Sequence, residues 1–279
     1  VRFAVSTVSP LGYPHSAAFA EVAEALNWGL GQLGHDSLLS TRLDNRRRTH
    51  VVLGANLLPK YPQAVAPGSV LYNLEQIEPG SKWCSEAYLD LLRRHPVWDY
   101  SERNRRVLAE LGVQAQLVPV APAPSWSRIA AVEQDIDVLF YGSMNQRRHD
   151  VLEALRGHGL RVEQAFAVYG ATRDALIARA RIVLNLHYYE SKMFEVVRVA
   201  YLLANGVCVV SETGSDTEHE ARFVEGVAFA PYPELVDTCR TLLAEPARRA
   251  AIAARGRDLA AGLSLLPGLQ AATATIKAA

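Results

Sequence analysis

An α/β protein of two parallel-sheet lobes facing a central cleft follows from three features of the sequence. Short apolar runs alternate with amphipathic helical segments through most of the chain, the pattern of parallel strands covered on both faces by crossover helices. A proline-rich and then polar stretch, APAPSWSRIAAVEQD (121–135), interrupts this alternation near mid-chain. Beyond it the alternation restarts on the same plan, so each half reads as a Rossmann-like lobe. A chain of 279 residues is long enough for two lobes of ordinary size.

The first lobe, residues 1–124, opens with the strand RFAVSTVS and the loop PLGYPHS. Phe19, Val22, Ala23, Leu26, Leu30 and Leu33 then recur at helical spacing and form one apolar stripe. That helix contains GLGQLG (29–34), which has the G-x-G-x-x-G spacing of a dinucleotide loop. A phosphate-binding loop must follow a strand and open a helix. These glycines instead sit in the last turns of one, so Gly34 reads as its left-handed cap, and Ser16 as the cap at its start. SLLSTR, HVVLGANLL and SVLYNLEQ are the next strands. The helical segment SEAYLDLLRRH, the strand VWDYS, the helix ERNRRVLAELG and the strand AQLVPVA complete the lobe.

The second lobe, residues 125–262, begins with the strand DVLFYGS and the helix QRRHDVLEALRGHG. RVEQAFAVYG, IVLNLHYY, VCVVSE and GVAFAPY are further strands, and TRDALIARA and SKMFEVVRVAYLLANG are helices between them. Two helices, PELVDTCRTLLAE and PARRAAIAARGRDLAAGL, follow. Residues 263–279 are expected to pack back on the first lobe as a C-terminal helix.

Lysine plus arginine equals aspartate plus glutamate at 29 each, so no global field favours nucleic acid. Local clusters at Arg46–Arg48 and Glu102–Arg106 read as solvated faces, with peripheral membrane contact as a secondary option. Cys84, Cys208 and Cys239 are too few and too far apart for a disulfide framework or a zinc site, and Cys208 inside GVCVV reads as core. Without a leader-like segment or an apolar run of bilayer length, a cytoplasmic protein is the expectation.

Several runs resemble GT-B fold glycosyltransferases, in particular small bacterial members of the group-1 (CgeB-like) class. In the second lobe these are DVLFYGSMNQRRHDVLEAL and ARIVLNLHYYESKMFEVVRVAYLLANGVCVVSE, and in the first VLYNLEQIEPGSKW and VWDYSERNRRVLAELGVQAQLVPV. The resemblance implies transfer of a sugar from a nucleotide-activated donor, such as a UDP-sugar, held mainly by the second lobe. It implies no obligatory metal and no cofactor beyond the nucleotide-sugar. The acceptor is expected to be a glycan, a lipid-linked group or a protein. The chain departs from the group in one respect. Many members carry two glutamates eight residues apart before a Gly-Val-Pro-Val segment, whereas here Glu190 lies eight before Arg198 and GVCV replaces the proline. Retention and inversion of the anomeric centre therefore both stay open, as do a non-catalytic glycan- or nucleotide-binding protein and a nucleotide-sugar epimerase of the same fold.

A diphosphate leaving group needs cations and backbone N–H groups where its charge develops. GSMNQRR follows a strand and opens a helix, so Gly142, Ser143 and Asn145 are expected at the phosphates, with Arg148, or Arg147 in its place, as a fork on them. Lys192, Glu195 and Arg198 are spaced to share one helix face: Lys192 or Arg198 is assigned to phosphate and Glu195 to hydroxyls. His187 and Glu212 end neighbouring apolar strands, where open parallel sheets bind ligands, and join the donor set. On the acceptor side, the first strand-to-helix loop carries Gly12, Tyr13 and His15. Imidazole titrates near neutrality, and some inverting GT-B enzymes place their base on this loop, so His15 leads as base, with Glu75 and Asp99 as rivals. Tyr72 and Tyr100 are expected to stack on sugar, while Trp98 reads as core.

Overall fold

The computed structural model describes residues 1–81, 83–189 and 191–276. The chain divides into two compact units, unit 1 being Val1–Ser125 with Ser264–Ala279 and unit 2 Trp126–Leu263.

Unit 1 runs β1 (Arg2–Thr7), a 3-10 turn (Pro14–Phe19), α1 (Ala20–Gln32), β2 (Asp36–Ser40), β3 (Thr49–Leu53), β4 (Val70–Asn73), α2 (Glu86–Arg93), β5 (Val97–Asp99), α3 (Glu102–Glu110) and β6 (Ala115–Leu117). Its six strands are parallel in the order β2-β1-β3-β4-β5-β6. β3, β4 and β5 are buried along their whole length, as expected of strands with helices on both faces. β2 is an edge strand and leaves Leu38 and Leu39 exposed. The order reverses at β1, so the carboxyl ends of β1 and β3 flank the crevice where such sheets bind ligands.

GLGQLG is a helix end. Gly34 has φ +79°, Gly34 N–H donates to Gly31 O, and His35 N–H donates to Leu30 O, the paired bonds of a Schellman cap. Ser16 does not cap α1: a six-residue 3-10 turn precedes that helix, and the Ser16 hydroxyl donates instead to Val8 O at 2.8 Å, tying the turn to the end of β1.

Unit 2 runs β7 (Ile136–Tyr141), α4 (Gln146–Gly157), β8 (Val162–Ala165), α5 (Gly170–Arg179), β9 (Ala180–Asn185), α6 (Val196–Ala204), β10 (Val209–Glu212), the single turn α7 (Thr217–Glu220), β11 (Ala228–Ala230), α8 (Leu235–Ala244) and α9 (Pro246–Gly262). Its five parallel strands lie in the order β11-β10-β9-β7-β8. Val138, Phe140, Ile182, Leu184 and Val210 pack beneath Leu152 and Leu155 of α4 and Cys239 of α8, and Cys208 lies in this core. The order reverses at β7, so the carboxyl ends of β7 and β9 flank the position where such sheets bind ligands.

After unit 2 the chain returns as α10 (Leu266–Ala274), which packs on β6 and α1 of unit 1. This contact explains Gly29. A Cβ there would lie 2.7 Å from Leu265 Cδ1 and 2.9 Å from Leu269 Cδ2, so the glycine is what lets α1 and α10 approach. No helix among the described residues is long and apolar enough to cross a membrane.

Candidate functional site

The carboxyl end of β7 leads through Gly142, Ser143 and Met144 into α4, whose first residue follows the cap Asn145. The Asn145 side chain accepts the Arg148 N–H at 3.0 Å, and its amide donates to Tyr188 O at 3.3 Å. Asn145 thus satisfies the helix start and ties it to the segment after β9. Gly142 has φ +144°, a conformation side chains rarely adopt. A Cβ there would lie 3.1 Å from one Arg198 Nη and 3.6 Å from one Arg148 Nη. Two guanidiniums therefore flank a glycine corner beside the start of a twelve-residue helix, at the strand-order reversal.

The two arginines differ in what they hold. Arg148 is 3% exposed and donates to Ser143 O at 2.6 Å and to Leu186 O, bridging the segments after β7 and β9. It lies between the rings of Phe140 and Tyr188, at 5.0 and 5.1 Å. Burial and then the nearby Arg198 charge pull its pKa down to about 10, which still leaves it a cation at neutral pH. The expected fork of Arg148 on a ligand is corrected: its guanidinium is committed to backbone carbonyls out of solvent. Arg198, in the first turn of α6, donates to Asn185 Oδ1 at 2.8 Å and stacks 5.1 Å over Tyr141.

Arg147 turns the other way. It forms a bidentate pair with Glu212, sits 3.9 Å over the Tyr232 ring, and its carbonyl accepts the Tyr232 hydroxyl at 2.8 Å. Glu212 is fully buried, so it holds Arg147 rather than reading a ligand hydroxyl, a second correction. Lys192 Nζ lies 3.6 Å from the same carboxylate, and the Lys192 side chain is 42% exposed.

Lys192, Glu195 and Arg198 do not share a helix face, because α6 begins at Val196. Lys192 has φ +46° in the connection before it, and its carbonyl accepts Ser215 N–H at 3.1 Å. A Cβ at Gly214 would fall 2.0 Å from that carbonyl, so glycine is required for the two loops to dock. Glu195 is the residue before α6. Its carboxylate accepts the Asn185 amide at 2.9 Å and lies 3.0 Å from His187 Nδ1. Burial would raise the Glu195 carboxyl, but the His187 hydrogen bond and charge, with Arg198 and Asn185, outweigh it and hold the pKa below its ordinary value. Burial likewise opposes the charge on His187, yet Glu195, Glu212 and Glu220 outweigh it and raise its pKa. His187 itself is buried and does not reach solvent, against the expectation that it reads the donor. Glu190 lies outside the described residues.

In unit 1, Gly12 (φ +74°), Tyr13 and His15 sit at the β1 end of the strand-order reversal. Pro14 opens the 3-10 turn that carries His15, and the Tyr13 and His15 rings meet edge to face at 5.3 Å. The other acceptor-side residues lie further along the sheet, on and after β4 and β5. Tyr72 is buried and donates to Val118 O at 2.6 Å, and Tyr100 is buried, so neither presents a face to a sugar. Asp99 is fully buried and accepts from Asn73, Asn104 and Ser101 N–H, which removes it as a base in contact with an acceptor. Glu75 is half-buried and accepts the Asn56 amide at 2.9 Å. Trp98 is core.

Residues 127–262 match the family described as "Glycosyl transferase-like", covering nearly all of unit 2. The match falls on unit 2 and spans just under half of the chain. The fold likeness extends to the whole chain. Anabaena HepE, solved in complex with UDP, superposes with a TM-score of 0.60 at 12% identity over 99% of each chain. WaaG, a glycosyltransferase involved in lipopolysaccharide biosynthesis, gives 0.58 at 14% identity over 100% of each. The two parallel-sheet α/β units are those of the GT-B fold. In sequence, the chain is 24% identical over 200 residues to protein L140 of Acanthamoeba polyphaga mimivirus, covering 68% of this chain and 64% of that relative.

Sequence reasoning missed Asn185, Tyr188 and Gly214. Asn185 had a readable signal, since an amide flanked by Leu184 and Leu186 interrupts an otherwise apolar strand.

Proposed function

We propose that the chain is a metal-independent glycosyltransferase that holds a nucleoside-diphosphate sugar in the β7/β9 crevice of unit 2 and passes the sugar to a hydroxyl acceptor on a glycan, lipid-linked group or protein. The observation that carries this reading is the pair of guanidiniums flanking Gly142 at the start of α4. Four cations, Arg147, Arg148, Lys192 and Arg198, stand against the three carboxylates Glu195, Glu212 and Glu220, a positive surplus matched in sign to a diphosphate. Arg148 contributes field from behind the backbone, while Arg198 and the half-exposed Lys192 contact the phosphates. Gly142 and Ser143 allow close backbone approach, and the α4 N-terminus adds its dipole. Glu195, whose side chain is 20% exposed, is assigned to a donor hydroxyl.

In the transfer, the bond from the anomeric carbon to the diphosphate oxygen breaks and its electron pair leaves on the diphosphate. A new bond forms to the acceptor oxygen, and the acceptor proton passes to a base. His15 is assigned that role from its place at the unit 1 reversal. UDP is the first nucleotide to try, since it occupies the HepE structure. A thermal-shift panel of nucleoside diphosphates and their sugars, run with and without EDTA, tests the reading. The melting temperature should rise with at least one of them in EDTA, and Arg198→Ala should abolish the rise. No rise with any nucleotide refutes it.

A further inference from the structure

The Arg198 side chain has a mobile stem, yet the site needs its guanidinium at one corner. What fixes it is a buried amide. Asn185 is the last residue of β9, fully buried, and registered beside Ser211 of β10. Its Oδ1 accepts from Arg198 Nη1 at 2.8 Å. Its Nδ2 donates to Glu195 Oε2 at 2.9 Å and to Ser211 Oγ at 3.0 Å. The amide can sit only one way round. Guanidinium offers donors alone and carboxylate acceptors alone, so a flipped amide would face NH2 to Arg198 and oxygen to Glu195. Glu195 is in turn held by His187 Nδ1. With one Arg198 nitrogen fixed by Asn185, its other terminal nitrogen is the one beside Gly142.

We propose that Asn185 is a positioning residue: oriented by Glu195 and Ser211, it aims Arg198 at the phosphate corner without touching the ligand. The inference rests on the reading of unit 2 as the donor site and names the residue that tunes it. An Asp at this position would still accept from Arg198, but it would set a second carboxylate against Glu195 in a buried place. Converting Glu195 to Gln at the same time reverses the polarity of that contact, since Gln can donate where Glu accepted.

The test is calorimetric titration with UDP and with inorganic pyrophosphate, on the full chain and its variants. Asn185→Ala should weaken both probes roughly ten-fold, the scale of one lost hydrogen bond to a charged group. Arg198→Ala should weaken them at least as much, and the double variant no further than Arg198→Ala. Asn185→Asp should also bind poorly, and Asn185→Asp with Glu195→Gln should recover most of the affinity for pyrophosphate, the probe with no sugar hydroxyl for Glu195 to read. That swap carries the test if Asn185→Ala does not fold. Additive losses in the double variant, unchanged affinity in Asn185→Ala, or no recovery in the swap overturns the proposal. A wild-type chain that binds neither probe overturns the donor-site reading, and this inference with it. Tight wild-type binding with additive losses overturns the positioning role while sparing the site.

Discussion

Gly142→Ala tests the candidate site at its narrowest point. The added Cβ meets two separate costs. At φ +144° an L-residue is strained, which costs on the order of 1–3 kcal/mol. The methyl would also lie 3.1 Å from an Arg198 nitrogen, tight enough to push that guanidinium off the corner. The first cost should lower the melting temperature by roughly 2–4 °C per kcal/mol for a domain of this size. The second should remove a charge-assisted contact to phosphate, about 1.5–3 kcal/mol, or roughly 10- to 100-fold in nucleotide affinity. Titration calorimetry with UDP at a temperature where the variant is fully folded separates the two. Affinity unchanged within about two-fold, alongside a lowered melting temperature, would show that the glycine corner is a packing feature and not part of a phosphate site.

Two further outcomes concern buried charge. Burial pushes the Asp99 carboxyl from an ordinary 3.8 up to about 7, against the donors Asn73, Ser101 N–H and Asn104. Between those values the folded chain binds a proton that the unfolded chain has lost, so this residue's contribution to stability falls as pH rises from about 4 to about 7, by at most about 4 kcal/mol. Urea denaturation of wild type and Asp99→Asn across that range should show the extra slope in wild type; parallel profiles would contradict it. Arg147→Ala should cost about 2–4 kcal/mol by leaving the buried Glu212 with the more distant Lys192, and adding Glu212→Gln should recover most of it. A loss that persists in the double variant would assign it to the Tyr232 stack instead.

The architecture was legible because alternation of short apolar runs with amphipathic segments follows from covering a parallel sheet on both faces, and that requirement acts residue by residue. The GLGQLG stretch was legible for the same reason: its place at the end of an apolar stripe decided that it was a helix end. What the stretch does beyond capping was not legible, because Gly29 is shaped by Leu265 and Leu269, more than two hundred residues away in sequence.

The site divides along the same line. Sequence alone determined the residue types at the carboxyl ends of the unit 2 strands. Tertiary structure decided which of the cations face outward. Arg147 and Arg148 are adjacent in sequence, but one closes on Glu212 while the other is buried under two carbonyls, and Arg198 comes to Gly142 from another helix. Spacing also misplaced the start of α6, because the docking of Lys192 O on Ser215 N–H holds residues 191–195 out of the helix. Periodicity is a property of neighbours along the chain, whereas the partner a charged group takes depends on which strand ends the fold sets side by side.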